Sequence, residues 1–162
     1  MDGEYTAELV YSQDFPFKIE SNKAAFLIVS PKPLVLKAPA KFSSSLKAYQ
    51  DNVFEQAFDK DGALTYFWSD SELKEGDHFT VDLEKPADAK TVKVVTGCAE
   101  HKDDFLHDGI LEASEDGTTY TKVADFKDGV AEAEIGRQVK SIRIKCTKAQ
   151  TFWLVITDVE VK

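Results

Sequence analysis

Thr65-Tyr66-Phe67-Trp68-Ser69-Asp70, followed at Gly76 by Gly76-Asp77-His78-Phe79-Thr80-Val81-Asp82-Leu83, decides the fold. Adjacent aromatics run into Ser-Asp and then a charged, glycine-bearing turn, a pattern foreign to a helix. From His78 to Leu83 apolar and polar residues alternate, with Phe79, Val81 and Leu83 on one side and His78, Thr80 and Asp82 on the other. A period of two marks a strand with one buried face. The stretch therefore reads as an aromatic corner entering a strand, against which the rest of the chain lays further strands.

Toward the C-terminus the reading predicts a turn at Glu84-Lys85-Pro86 and a strand within Thr91 to Gly97, where Val92 and Val94 alternate. Cys98 to His107 is a polar loop. Ile110 to Ser114 and Thr119 to Phe126 are strands joined through Asp116-Gly117, a dipeptide that favours hairpin turns. Lys127-Asp128-Gly129 turns again; Val130 to Ile135 is a strand, Gly136-Arg137-Gln138 a turn, and Val139 to Thr147 a strand with Ile142, Ile144 and Cys146 on one face. A polar loop from Lys148 to Thr151 precedes the closing strand, Phe152 to Val161.

Toward the N-terminus, Val53, Phe54, Ala57 and Phe58 have helical spacing, enough for a turn or two capped by Asp51 or Asn52. Asp59-Lys60-Asp61-Gly62 is a tight acidic turn. Residues 1–40 read as an extension or the stub of a preceding domain, with the main domain over 41–162 and the boundary near Ala38 to Ser45. In the extension Tyr5, Ala7, Leu9 and Tyr11 alternate as a strand would, Phe15-Pro16-Phe17 interrupts, Ala24 to Val29 is a buried-strand candidate, and Leu34-Val35-Leu36 is a short strand between prolines. Short strands spaced by glycine and aspartate turns, without a βαβ rhythm, predict an all-β sandwich or barrel.

The chain has 162 residues, 43% hydrophobic and 30% charged, the balance of a folded domain with a real core. Its net charge of −9 argues against nucleic acid and anionic lipid as partners. No apolar run approaches the roughly 20 residues that span a bilayer. Met1-Asp2-Gly3-Glu4 is acidic where a secretory signal would be basic. The expectation is an intracellular protein, or a fragment of a larger secreted one with Met1 added. Cys98 and Cys146 are expected as two buried thiols in preference to a disulfide.

Catalytic patterns are missing: there is no G-x-S-x-G and no phosphate-cradling glycine loop. Asp103-Asp104 as an acid/base pair is outweighed by a solvated loop. His101, Asp104 and His107, three apart, would share a helix face, but in a loop that spacing carries no zinc site. A sugar-binding face is easier to compose. Aromatic rings stack on the apolar side of a pyranose, while carboxylates and amides hold its hydroxyls. Tyr66, Trp68, Asp104, His107, Gln150, Phe152 and Trp153 are of the right types at loops or strand ends; the alternative is that Trp68 and Trp153 are core tryptophans, and for Trp153 the core is the better reading.

Ala57-Phe58-Asp59, Thr65 to Asp70, Gly76 to Leu83, Leu106 to Glu112 with Ser114 to Gly117, and Phe152 to Val161 resemble the discoidin-like (factor 5/8 type C) superfamily, which includes carbohydrate-binding module family 32. These segments look like the C-terminal modules of bacterial β-N-acetylhexosaminidases. Ser44 to Gln50, Glu100-His101 and Asp128 to Glu132 resemble the C-terminal lectin domain of the N-acetylglucosaminyltransferase IV family. The resemblance implies a jelly-roll sandwich of about eight antiparallel strands, with extra N-terminal strands, and a ligand site in loops at one end. It implies terminal N-acetylglucosamine or a related hexose as ligand, Asp104 holding sugar hydroxyls, and His101 beside the other site residues. It implies an attached glycosidase or glycosyltransferase in a longer protein of the extracellular space, periplasm or secretory lumen. It also implies a structural calcium held by Asp59, Asp61, Thr65 and Asp158, whose hard oxygen donors suit that ion. The alternative is an adhesion or protein-interaction domain on the same sandwich without a sugar site; a stand-alone enzyme is the third reading.

Overall fold

The computed structural model describes residues 5–8, 16–19, 40–58 and 65–162. Chain contacts divide the protein into Met1–Lys37 and Ala38–Lys162, and each is described by itself. In the first unit β1 (Tyr5–Glu8) and β2 (Pro16–Ile19) pair antiparallel, Tyr5 opposite Ile19 and Glu8 opposite Pro16. Pro16, expected to interrupt, instead opens β2, a position where its missing N–H is tolerated. The strands expected at Ala24–Val29 and Leu34–Leu36 lie outside the described residues.

The second unit contains β3 (Ala40–Ser44), a 3-10 turn (Phe54–Phe58), β4 (Phe67–Trp68), β5 (His78–Thr96), β6 (Gly109–Ser114), β7 (Thr121–Asp125), β8 (Val130–Cys146) and β9 (Val155–Val161). Every pairing is antiparallel. The region expected as a boundary thus holds β3, whose Ala40 lies opposite Leu83 of β5. The helical spacing around Phe54 yields only the 3-10 turn, with Phe54 and Ala57 buried.

Two expected turns are not turns. β5 runs unbroken through Glu84-Lys85-Pro86, and β8 runs unbroken through Gly136-Arg137-Gln138. The register between them shifts from Asp82 to Ala87 and again from Ala89 to Thr91, so exposed polar residues there mark irregularities in a ladder. Gly136 takes a φ of 62°, a left-handed conformation open to glycine at little cost. The irregularities let each long strand serve two layers. The first half of β5 lies between β3 and the second half of β8, which continues to β6 and β7. The second half of β5 lies between the first half of β8 and β9, which continues to β4.

The core fills the space between the layers. Phe79, Val81, Leu83, Leu111, Ile142 and Ile144 from one layer meet Val92, Val94, Ala131, Ile156 and Val159 from the other. Phe67 of β4 packs edge-on against Phe79 of β5 at 5.0 Å, and both are buried. This is the all-β sandwich that the alternation predicted. Outside the core, buried Glu112 of β6 accepts the Nε–H of half-buried Arg143 of β8 at 2.6 Å, and the Arg143 guanidinium lies over the Tyr120 ring at 3.8 Å. Both cysteines are free thiols; Cys146 is buried and Cys98 half-buried. Burial pushes the Cys146 thiol above its ordinary pKa. No helix among the described residues is long and apolar enough to cross a membrane.

Candidate functional site

The loop from Gly97 to Asp108, between β5 and β6, carries the centre of the site. Two glycines set its course. Gly97 has a φ of 81°, and a Cβ there would stand 2.9 Å from that of Phe105. Gly129, at a φ of 78° in the turn before β8, would press a Cβ to 2.9 Å from the Thr96 carbonyl and 3.0 Å from Phe105. Both positions require glycine, and together they let Phe105 seat against the strand ends. The buried Thr96 hydroxyl then donates to Gly129 O at 2.7 Å and accepts the Leu106 N–H at 3.0 Å, fixing the loop's far side.

Asp104 is held on three sides. Its N–H donates to His101 O at 3.2 Å, its carbonyl accepts the Val155 N–H at 2.8 Å, and its Oδ2 accepts the Trp68 indole N–H at 3.0 Å. Trp68 is itself fixed at both backbone groups, donating to Asn52 O and accepting from Tyr49 N. Buried Ser69 ties the same strand to the 154 segment, its hydroxyl accepting the Leu154 N–H at 2.8 Å. Rings close around the indole. Tyr49 stands 4.9 Å away, Trp153 5.3 Å and His101 4.1 Å, while Tyr66 lies edge-on at 6.5 Å.

Beside this cluster lies an open depression of about 320 Å³, lined by Tyr49, Trp68, Asp104, Thr151, Phe152 and Trp153. It combines one carboxylate with aromatic walls, a composition suited to a small polar ligand with an apolar face. A second hollow, about 480 Å³, lies on the other flank of the loop, with Thr96, Gly97, Cys98, Lys102, Phe105 and Asp128 around it.

The residues singled out from the sequence take different places. Trp68, Asp104 and Phe152 line the depression together. His101 and Tyr66 back the Trp68 ring, their own rings 6.1 Å apart. Burial first, then the nearby Cys98 thiol and Glu100 carboxylate, raise the Tyr66 phenol pKa above its usual value. His107 stacks between Phe105, at 4.1 Å and 10°, and Phe152, at 5.3 Å and 7°. Its Nε2 donates to Asp103 O at 3.0 Å. Gln150 braces the loops: Oε1 accepts the His107 N–H at 3.1 Å, and Nε2 donates to Phe105 O at 3.0 Å. Trp153, half-buried, forms a wall of the depression and packs on Trp68. Tyr49 and Thr151 also line it and were not singled out; Tyr49 stands in a segment without periodic pattern.

Asp59 and Asp61 of the implied calcium site lie outside the described residues. Thr65 is half-buried ahead of β4, and Asp158 is half-buried on β9 opposite Val95. Both supply the hard oxygen donors that calcium takes, so the described half of the set fits in kind. Among the described residues no three His, Cys, Asp or Glu side chains stand together as a metal site.

Residues 40–158 match the model of the MGAT4 C-terminal domain. The chain belongs to that family. It is 28% identical over 137 residues to the mouse alpha-1,3-mannosyl-glycoprotein 4-beta-N-acetylglucosaminyltransferase C, aligning 76% of this chain with 28% of the mouse protein. To the chicken alpha-1,6-mannosyl-glycoprotein 4-beta-N-acetylglucosaminyltransferase it is 30% identical over 133 residues, 75% of this chain and 28% of that one. The chain thus spans a little over a quarter of these relatives' length. Among solved structures, this MGAT4 C-terminal domain is similar in fold to CBM32-1 of a family 31 glycoside hydrolase from Clostridium perfringens, with a TM-score of 0.61, 16% identity, and coverage of 75% of this chain and 92% of that one. The family 32 module of C. perfringens NanJ, solved with galactose, gives a TM-score of 0.59 at 14% identity, covering 75% and 92% of the two chains. The chain therefore has the β-sandwich fold of these family 32 modules.

Proposed function

We propose that this chain is a non-catalytic, lectin-like module that binds the terminal sugar of a neutral glycan, with N-acetylglucosamine or a closely related hexose as ligand. The observation that carries the reading is the depression beside Asp104: one fixed carboxylate among the rings of Tyr49, Phe152 and Trp153. A carboxylate accepts hydroxyl hydrogens in charge-assisted bonds, and an exposed ring such as Phe152 covers a pyranose face. The curated relatives are named as N-acetylglucosaminyltransferases acting on mannosyl-glycoproteins, and a similar module was solved with galactose. These support a sugar ligand, attachment to a glycosyltransferase domain in a longer protein of the secretory lumen, and a role in directing that enzyme to its glycan.

The test is titration of the protein with methyl N-acetylglucosaminide and with glycans that end in it. A site with few contacts gives a Kd on the order of 0.1–1 mM, about 4–5.5 kcal/mol. Asp104→Asn retains an oxygen for the Trp68 N–H but loses the charge. It should cost roughly 1.5–3 kcal/mol of binding, enough to erase the signal, with the melting temperature nearly unchanged. Undiminished binding by folded Asp104→Asn protein overturns this site.

A further inference from the structure

We infer that Trp68 is a positioning residue, whose indole N–H holds the Asp104 carboxylate in the pose that meets the ligand; this rests on the sugar-binding reading above. The residue types alone suggest the opposite, a tryptophan face offered to the sugar. The geometry gives its N–H pole a different task. Trp68 is half-buried, its backbone is tied at Asn52 and Tyr49, and four rings crowd it. Its single donor ends on Asp104 Oδ2 at 3.0 Å. His101 closes a triangle, since its ring lies 4.1 Å from the indole while its carbonyl accepts the Asp104 N–H.

The choice of donor matters. Elsewhere in the domain a carboxylate is fixed by a cation: buried Glu112 is paired with half-buried Arg143 at 2.6 Å. There the charge is answered inside the protein. Asp104 takes no ion pair among the described residues, and its Oδ1 receives no hydrogen bond from them. An indole N–H is a neutral donor with no acceptor capacity. It fixes one oxygen and leaves the full negative charge, and the whole of Oδ1, for hydroxyl donors. Ordering the side chain before the ligand arrives removes part of the entropy that binding would otherwise cost.

The test separates the N–H from the ring. Trp68 is replaced by its benzothiophene analogue, in which sulfur stands where the N–H was, and the probe is methyl N-acetylglucosaminide. A roughly tenfold weaker Kd, with the melting temperature held within a few degrees, is the expected result. In ligand-free protein, the Trp68 indole N–H resonance should move in Asp104→Ala while that of Trp153 stays near its place. Unchanged affinity of the analogue, where Asp104→Asn has lost binding, overturns the positioning role and leaves the sugar site standing. An unmoved Trp68 resonance in folded Asp104→Ala overturns it as well. Wild-type protein that binds no sugar probe sinks the sugar reading and this role together. Trp68→Phe is the second variant should the analogue not fold, and must show the same loss.

Discussion

The imidazole of His107 lies parallel to the ring of Phe152, 7° apart with centroids 5.3 Å distant. Phe105 covers the opposite face of the imidazole. The stack orders Phe152 at the rim of the depression, although Phe152 remains 41% exposed. An ordered yet exposed ring has much to offer a ligand and little to offer the core. Phe152→Ala should weaken sugar binding several-fold while changing stability by no more than about 0.5 kcal/mol. Titration and thermal melting of the same sample check both halves.

Charge sets a second expectation. The site loop carries Glu100, Asp103, Asp104 and Asp108 against Lys102, in a chain of net charge −9. A terminal sugar that bears a carboxylate meets repulsion from Asp104, whereas a neutral one does not. Paired glycans differing only in a terminal sialic acid should bind unequally, the neutral one more tightly. The gap should narrow as salt is raised toward 1 M, where screening reaches only about 3 Å. Equal affinities at low salt would count against the assignment of Asp104.

Calcium gives a third. We propose that Asp59, Asp61, Thr65 and Asp158 hold a calcium ion. A ligand that binds only the folded state stabilises it by mass action, about 2.7 kcal/mol at a hundredfold excess over Kd. Chelator should therefore lower the melting temperature of metal-loaded protein, and Asp158→Asn should abolish the difference. A melting curve indifferent to both removes the ion from the account.

Acid tests the hairpin between β6 and β7. Asp116 accepts the Thr118 and Thr119 N–H groups, both at 2.7 Å, and the Ser114 hydroxyl at 2.9 Å. These bonds, the two backbone ones foremost, hold its carboxyl well below the usual carboxylate range. A depressed folded-state pKa means stability that is present above the unfolded pKa, near 4, and is lost as pH falls from there toward the folded value. Asp116→Asn should melt lower than wild type at pH 6, and the two curves should converge as pH falls from about 4 to 2. Parallel curves over that range would show that the carboxylate contributes nothing.

The sequence carried the sandwich because half-buried strands leave alternation: Phe79, Val81 and Leu83 face the core as read. It misplaced the turns at Glu84–Pro86 and Gly136–Gln138 because a ladder irregularity and a loop expose the same polar residues. At the site, the resemblance to the N-acetylglucosaminyltransferase IV lectin domain singled out Asp104; the loop's residue types alone offer Glu100, Asp103 and Asp104 alike. Tyr49 was not singled out, since its place comes from a partner far along the chain, its N–H bonding to Trp68 O at 2.7 Å. The role of Trp68 was hidden for the same reason: its N–H meets a side chain 36 positions on. Composition tells which groups can touch a sugar, and only the folded backbone tells which of them touch one another first.

β5 and β8 each pass through both layers without a break. A sandwich of separate strands could peel, one sheet surviving the loss of the other. Here the hinge of the sandwich is the strand pair itself, so neither layer keeps its central ladder once the other has gone. Opening the end that bears Asp104 tugs on β5, which is laddered to β8, the strand that holds the hairpin at Asp116 through β6. Residues 40–162 should then melt as one cooperative unit, with hydrogen exchange along β5 reporting a common opening energy from Phe79 to Val94.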